Sequence, residues 1–198
     1  MIKSNRNIRY NDGLTRKEKS RRLVWNIFWY LFFRPTPHWI LHGWRCQLLR
    51  FFGAQIGIGC KISPSSFIWA PWNLEMDDYV AFGDHVDCYN VAKITIGTKV
   101  AISQRSFLCS ASHDTTSLLR PLIYKPITIE KHVWIAAEAI VLPGTNIGEG
   151  AVIAARSVVT KDMPAWHICA GHPCTPKIRR HVTDLYLDPE IHYYPATE

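Results

Sequence analysis

Reading every sixth residue from Ile129 gives Ile129, Ile135, Val141, Ile147, Ile153 and Val159, an unbroken aliphatic column. An α-helix repeats every 3.6 residues and a strand every two, so neither alone produces this beat. The same beat runs through Ile56, Ile62, Ile68, Leu74, Val80 and Val86, and again through Ile96, Ile102 and Leu108. A period of six that contains a period of two is what a parallel β-helix requires. Each short strand points one aliphatic residue inward, and the chain then turns a corner onto the next face. Small residues follow many column positions, as Gly57, Ser63, Gly97, Ala136, Gly148 and Ala154 do, and a bulky side chain would not fit there. Three faces make one coil of about 18 residues, stacked on the next at about 4.8 Å.

At 198 residues the chain has room for one domain with a substantial core and an appended element. Its six cysteines, Cys46, Cys60, Cys88, Cys109, Cys169 and Cys174, form no Cys-x-x-Cys pair. A reducing, cytoplasmic setting is expected, and none of the six is assigned to catalysis. The net charge of +7 is unevenly spread: residues 1–50 hold 11 Lys and Arg against 2 Asp and Glu, and the remainder 12 against 14. That basic segment also carries the run Leu23 to Phe33, then Trp39, Trp44, Phe51 and Phe52. Eleven mostly apolar residues are too few to span a bilayer, which takes about 20, and no signal-peptide cleavage pattern follows. Two readings stay open. The segment is a pair of amphipathic helices covering the exposed end of the β-helix, or a peripheral anchor at the inner membrane surface through residues 21–52. Charge alone would allow nucleic-acid binding, but no motif supports it.

The expected organisation is a basic flexible arm at 1–20, a helical capping segment at 21–55, a β-helix at 56–176 and a tail at 177–198. Helices are expected from about Arg21 to Phe33, ended by Pro35 and Pro37, and from about Trp39 to Phe52, ended by Gly53. The repeat breaks between Leu108 and Ile129, so residues 109–128 are an extruded loop on the outside of the prism. Residues 185–198 are expected to form no regular element.

Of nine histidines, His113 stands in that loop, between Ser112 and Asp114. A neutral imidazole can take a hydroxyl proton as the oxygen attacks a thioester, if an acceptor fixes its tautomer. Asp114 or a backbone carbonyl could be that orienter. The stretches 89–92 (Tyr-Asn-Val-Ala), 112–114 (Ser-His-Asp), 133–137 (Val-Trp-Ile-Ala-Ala), 157–162 (Ser-Val-Val-Thr-Lys-Asp) and 170–173 (Ala-Gly-His-Pro) resemble the hexapeptide-repeat O-acetyltransferases of the colanic acid biosynthesis type. These are related to the maltose and galactoside acetyltransferases, and the similarity extends from about residue 21 to 180.

The resemblance implies an all-β core wound as a left-handed β-helix, with a helical cap and an extruded loop. It implies acetyl-CoA as co-substrate and no metal. It implies a homotrimer with active sites between subunits, and a sugar or polysaccharide precursor as acceptor. In that family the loop histidine is the general base and an asparagine from an earlier coil places the acceptor, which falls here on His113 and Asn90. Acetyl-CoA contacts fall on Trp134, Ala136, Ala137, Ala154, Ala155, Thr160 and Lys161, with Lys177, Arg179 and Arg180 toward the phosphates. A backbone N–H near Ala137 could hold the oxyanion. Galactoside-type enzymes carry a serine where Ala137 stands, so no side-chain hydroxyl helps there. Two alternatives remain at this point: a γ-type carbonic anhydrase holding zinc through His85, His113 and His132, and a non-catalytic trimeric scaffold docked by the basic segment.

Overall fold

The computed structural model describes residues 13–183. Residues 1–12 of the basic arm, and residues 184–198 of the tail, lie outside the described part. Within it the chain winds as a parallel β-solenoid with three faces. The first face stacks Gln55–Ile56, Leu74–Met76, Ile94–Ile96, Ile127–Ile129 and Asn146–Ile147. The second stacks Lys61–Ile62, Ala81–Phe82, Ala101–Ile102, Trp134–Ile135, Val152–Ile153 and His167–Ala170, and Thr175–Arg179 folds back antiparallel on the last. The third stacks Phe67–Ile68, Asp87–Tyr89, Phe107–Cys109, Ile140–Val141 and Val158–Val159. Thr175–Arg179 therefore takes up the start of the segment expected to be tail.

The late column keeps the expected coil of 18: Ile129 pairs with Ile147, Ile135 with Ile153, and Val141 with Val159, all buried. The early column does not. Ile56, Ile62 and Ile68 pair with Met76, Phe82 and Cys88, a coil of 20 residues. A short 3-10 turn at Pro71–Asn73 adds two residues to the corner and slips the frame. Leu74 then stacks on Ile94, two places ahead of the true column, and Val80 and Val86 share that phase. Because a slip of two returns a side chain to the same face, all stay inward and the aliphatic beat survives.

The corners obey a rule that the aliphatic column conceals. His132, Glu138, Gly144, Gly150 and Arg156, each six residues from the last, have positive φ, as do Tyr79, His85, Lys99 and Arg105 in earlier coils. A left-handed backbone costs a non-glycine residue about 1 kcal/mol. It persists because each such amide bonds the coil below: His132 N to Thr98 O, Glu138 N to Gln104 O and Arg156 N to Ala137 O, each at 2.9–3.0 Å. The small residues after the column meet a separate demand. A Cβ on Gly97 would lie 2.6 Å from the Lys131 nitrogen, in backbone that cannot yield. Gly97→Ala is therefore expected to lower stability by about 2–4 kcal/mol. Gly43→Ala, with open space around an ideal Cβ in a helix, should be neutral or raise it by up to about 1 kcal/mol. Paired denaturant midpoints check both.

At the first coil, α1 (Arg16–Phe28) runs into a π-helical turn at Trp29–Phe33, and α2 (His42–Phe51) follows. Helix α1 starts five residues before the expected Arg21 because Thr15 and Glu18 form a reciprocal capping box. The cap satisfies the open carbonyls of the first coil with side-chain donors. Trp25 Nε1 donates to Ile68 O, Trp29 Nε1 to Ser66 O, Arg45 Nε to Ile62 O, and Arg50 to Ile56 O and Gly57 O. Arg21 and Arg22 lie over the rings of Trp72 and Trp69, at 4.0 and 3.7 Å. No helix among the described residues is long and apolar enough to cross a membrane.

Candidate active site

The extruded segment is a β-hairpin, Ala111–His113 paired antiparallel with Leu122–Tyr124, so that His113 faces Leu122. Its root is held by a small apolar cluster outside the prism. Ala111 and Leu122 pack with Trp69, Val91, Trp72 and Tyr89. At its start Ser110 Oγ accepts from the Ala92 amide, and its one proton lies between the carbonyls of Tyr89 and Ala92, at 3.1 and 3.2 Å. The hairpin is thus a stiff arm projecting from the corner between the third and first faces.

His113 is exposed, and its Nδ1 lies 2.7 Å from the Arg120 carbonyl across the hairpin. A carbonyl only accepts, so Nδ1 carries the proton and the neutral ring has its basic lone pair on Nε2. The orienter is the backbone carbonyl. Asp114 does something else: its Oδ1 accepts from the Thr116 amide and hydroxyl, which hold its carboxyl below the usual range and close the turn. The Asp114 amide also donates to Pro121 O. Asp114 shapes the hairpin turn, and the contact at His113 Nδ1 is made by Arg120 O instead.

Asn90, expected beside the acceptor, is fully buried. Its Oδ1 accepts from the Ala70 amide at 2.9 Å and its Nδ2 donates to the Ala70 carbonyl at 2.7 Å. Both ends of the amide are used on the coil below, one step beneath the Ser110 bonds that root the hairpin. In this geometry Asn90 ties together the coils beneath the hairpin and has no exposed atom.

Sequence reasoning overlooked Asp87. It stands on the outward row of the third face between Phe67 and Phe107, where poor solvation raises its carboxyl above the ordinary value. It lies near enough to Cys109, at the hairpin root, to help raise that thiol. Its outward position beside an inward Cys88 was the available signal. All six cysteines are buried, and burial pushes their thiols up, Cys46 and Cys169 to about 11. None can supply a thiolate at neutral pH.

The residues expected to meet acetyl-CoA fall into separate groups. Trp134 lies half exposed, its Nε1 donating to Ser103 Oγ at 2.9 Å. Ala136 and Ala137 follow it at the corner between the second and third faces, and Ala154 and Ala155 occupy the same corner one coil on. In that corner the Ala136, Glu138 and Ala139 amides bond Ile153 O, Gln104 O and Ala136 O, and the Ala137 amide takes part in none of these bonds. Glu138, from the same corner, bridges Arg105 and Arg156 at 2.6–2.9 Å. Thr160 and Lys161 are exposed at the opposite end of the third face, past Val158–Val159. Lys177 and Arg179 are exposed on the edge strand of the second face.

His113 and the alanine corner lie at opposite ends of the third face within one chain. His113 projects from the corner that ends the third face, and Ala137 sits where that face begins. About six residues of extended chain separate two such corners, as much as ~20 Å.

Residues 126–161 match the family model for the bacterial transferase hexapeptide, six repeats. The chain is 45% identical over 134 residues to WcaF of Escherichia coli K12, which is named as a colanic acid biosynthesis acetyltransferase. That match covers 68% of this chain and 74% of the relative. The chain belongs to the hexapeptide-repeat acetyltransferases. It is also 38% identical over 156 residues to the galactoside O-acetyltransferase of E. coli K12, covering 76% of this chain and 72% of that one. Among solved structures, a hexapeptide-repeat acetyltransferase of Vibrio cholerae complexed with acetyl coenzyme A superposes with a TM-score of 0.75. It is 25% identical, and the match covers 86% of this chain and 93% of the other.

Membership of the hexapeptide-repeat acetyltransferases favours acetyl transfer over the zinc reading. His85 and His132 sit at corners of different coils, His113 on the hairpin. Among the described residues no group of three His, Cys, Asp or Glu could hold a metal ion. Zinc content of the purified protein checks this directly.

Proposed function

We propose that this acetyltransferase transfers the acetyl group of acetyl-CoA to a hydroxyl of a saccharide, a precursor of a surface or secreted polysaccharide, in one direct step. His113 Nε2 takes the hydroxyl proton as the oxygen attacks the thioester carbonyl. The new C–O bond forms through a tetrahedral oxyanion, the C–S bond breaks, and the proton passes from the imidazolium to the departing CoA thiolate. The Ala137 amide holds the oxyanion. The observation that carries this reading is the Nδ1 bond of His113 to Arg120 O, which sets the tautomer a base requires. The names of the colanic acid and galactoside relatives support a saccharide acceptor, and the acetyl-CoA complex of the Vibrio protein supports the donor. Protonated, buried cysteines favour direct transfer over an acyl-enzyme.

The acceptor side includes Asp87 and the aromatic rows around it, and Asn90 acts by fixing the backbone under the hairpin. The donor arm lies along Trp134, Ala136, Ala137, Ala154 and Ala155, whose small side chains expose the backbone. Thr160, Lys161, Lys177 and Arg179 serve the rest of the CoA. Because His113 and Ala137 of one chain lie at opposite ends of a face, the working site joins the hairpin of one protomer to the alanine corner of another, in a homotrimer. The test is thiol release from acetyl-CoA against a panel of sugars and nucleotide sugars. Release that depends on a saccharide supports the assignment, and saturable acetyl-CoA binding that Ala155→Trp abolishes supports the donor groove. Absence of acetyl-CoA binding would overturn it.

A further inference from the structure

The cap does more than close the solenoid. Its helical segment is apolar on both sides. Trp25, Trp29 and Phe33 face the first coil and are buried, while Leu23, Ile27, Tyr30 and Leu31 on the opposite side are 49–63% exposed. A helix that packs through one stripe normally turns polar residues outward. The loop that follows repeats the pattern more sharply: Trp39 is 78% exposed, with Ile40 and Leu41 beside it. That loop is built, not slack. The fully buried Arg45 donates to Thr36 Oγ1, Pro37 O and His38 O, and so pins the loop from beneath. Leu41 holds a left-handed backbone, φ 61°, an uncommon conformation for a bulky side chain. The fold thus commits a buried guanidinium and backbone strain to holding an apolar tip in solvent.

The exposed surface is continuous. Trp44 Nε1 donates to Phe32 O, and ring contacts run from Phe32 through Phe28 and Phe52 to Phe51, which is 79% exposed. Phe51, Phe52, Val24 and Arg21 line an open apolar recess of about 460 Å³. Around this surface stand the exposed cations Arg16, Lys17, Lys19 and Arg34. Residues 1–50 as a whole carry 11 cations against 2 acidic groups.

We propose that this face is a docking surface for an anionic phospholipid bilayer. Leu23, Ile27, Tyr30, Leu31 and the Trp39 tip enter the headgroup boundary, and the cations lie among lipid phosphates. Charge selects this occupant over a second copy of the chain, because two such caps would bring like charges together. With no helix among the described residues long and apolar enough to span, the segment would lie on the surface. The catalytic hairpin stands close above. Trp69, which Arg22 covers from the cap, packs in the cluster that roots the hairpin. The protein would therefore work at the bilayer surface, on a saccharide held there by a lipid.

The experiment is co-sedimentation of the full chain with vesicles of phosphatidylcholine alone, or with about one third phosphatidylglycerol, at low and high salt. Sedimentation equilibrium without lipid runs in parallel. The expected result is binding to the anionic vesicles only, weakened at least about tenfold by high salt. A Leu23→Ser/Leu31→Ser/Trp39→Ser variant, altered only at exposed positions, should lose at least about tenfold in vesicle affinity with its charge and circular dichroism unchanged. Three results overturn the proposal: no binding at low salt, binding by the variant equal to the wild type, or no vesicle binding with a change of oligomeric mass in the variant. The last would assign the face to self-association. None of these readouts depends on acetyl transfer, so the docking surface and the proposed reaction stand or fall separately.

Discussion

His113→Ala is expected to reduce acetyl transfer at least about a hundredfold while leaving acetyl-CoA binding and the melting transition close to wild type. The side chain is exposed on the hairpin, outside the coils, so its removal leaves the solenoid intact. What is lost is the one imidazole whose tautomer the hairpin fixes, through Arg120 O at 2.7 Å. Asp114→Asn makes the informative contrast. It keeps an oxygen that can accept from Thr116, and Asp114 does not orient the ring, so turnover should fall far less. Equal losses in the two variants would mean that the carboxylate takes part directly. Thiol release under saturating acetyl-CoA, with the best saccharide acceptor, measures both.

Mixing two inactive proteins is expected to restore activity. His113→Ala lacks the base but keeps an intact alanine corner. Ala155→Trp keeps the base but fills the corner along which the thioester arm would lie, at an exposed position that accommodates the ring. If every site joins the hairpin of one protomer to the corner of the next, random co-assembly places an Ala155→Trp hairpin beside a His113→Ala corner in about one quarter of sites. Purification through two affinity tags removes the pure trimers, and every mixed trimer has one productive site in three, so the co-expressed mixture should show about one third of wild-type turnover. Either variant alone should stay below about one hundredth. If a single protomer held the whole site, the mixture would remain inactive. A monomeric native mass would remove the shared site altogether.

The fold was legible because a solenoid writes its architecture as a short period. Each coil needs one inward aliphatic residue per corner, so Ile129 through Val159 announce the faces without knowledge of any contact. The extruded hairpin was legible as the break in that period, and His113 as a titratable group inside the break. Other features carried no such signal. Two extra residues at the Pro71–Asn73 turn moved the frame by two and left the aliphatic beat intact, so the first coil reads as 18 residues when it is 20. Asn90 looked like a substrate contact because its place in the sequence resembles one, yet its amide is spent on Ala70. Arg45 read as one more cation in a basic segment, and only packing reveals it buried beneath a loop.

The coil, the corner at which it is interrupted, the histidine in the interruption and the basic aromatic segment ahead of it can all be read along the chain. These are local or periodic properties, and each is written in residue spacing. Only the stacked coils show that His113 Nδ1 meets Arg120 O and not Asp114, and that the Asn90 amide is bonded to Ala70 beneath the hairpin. The tertiary structure also decided that the cap presents a second apolar face outward and that His113 and Ala137 stand at opposite ends of a face. Such facts depend on which donor meets which acceptor once coils are stacked. Hydrogen-bond partners between coils are set by distances of about 3 Å, and no spacing along one chain encodes them.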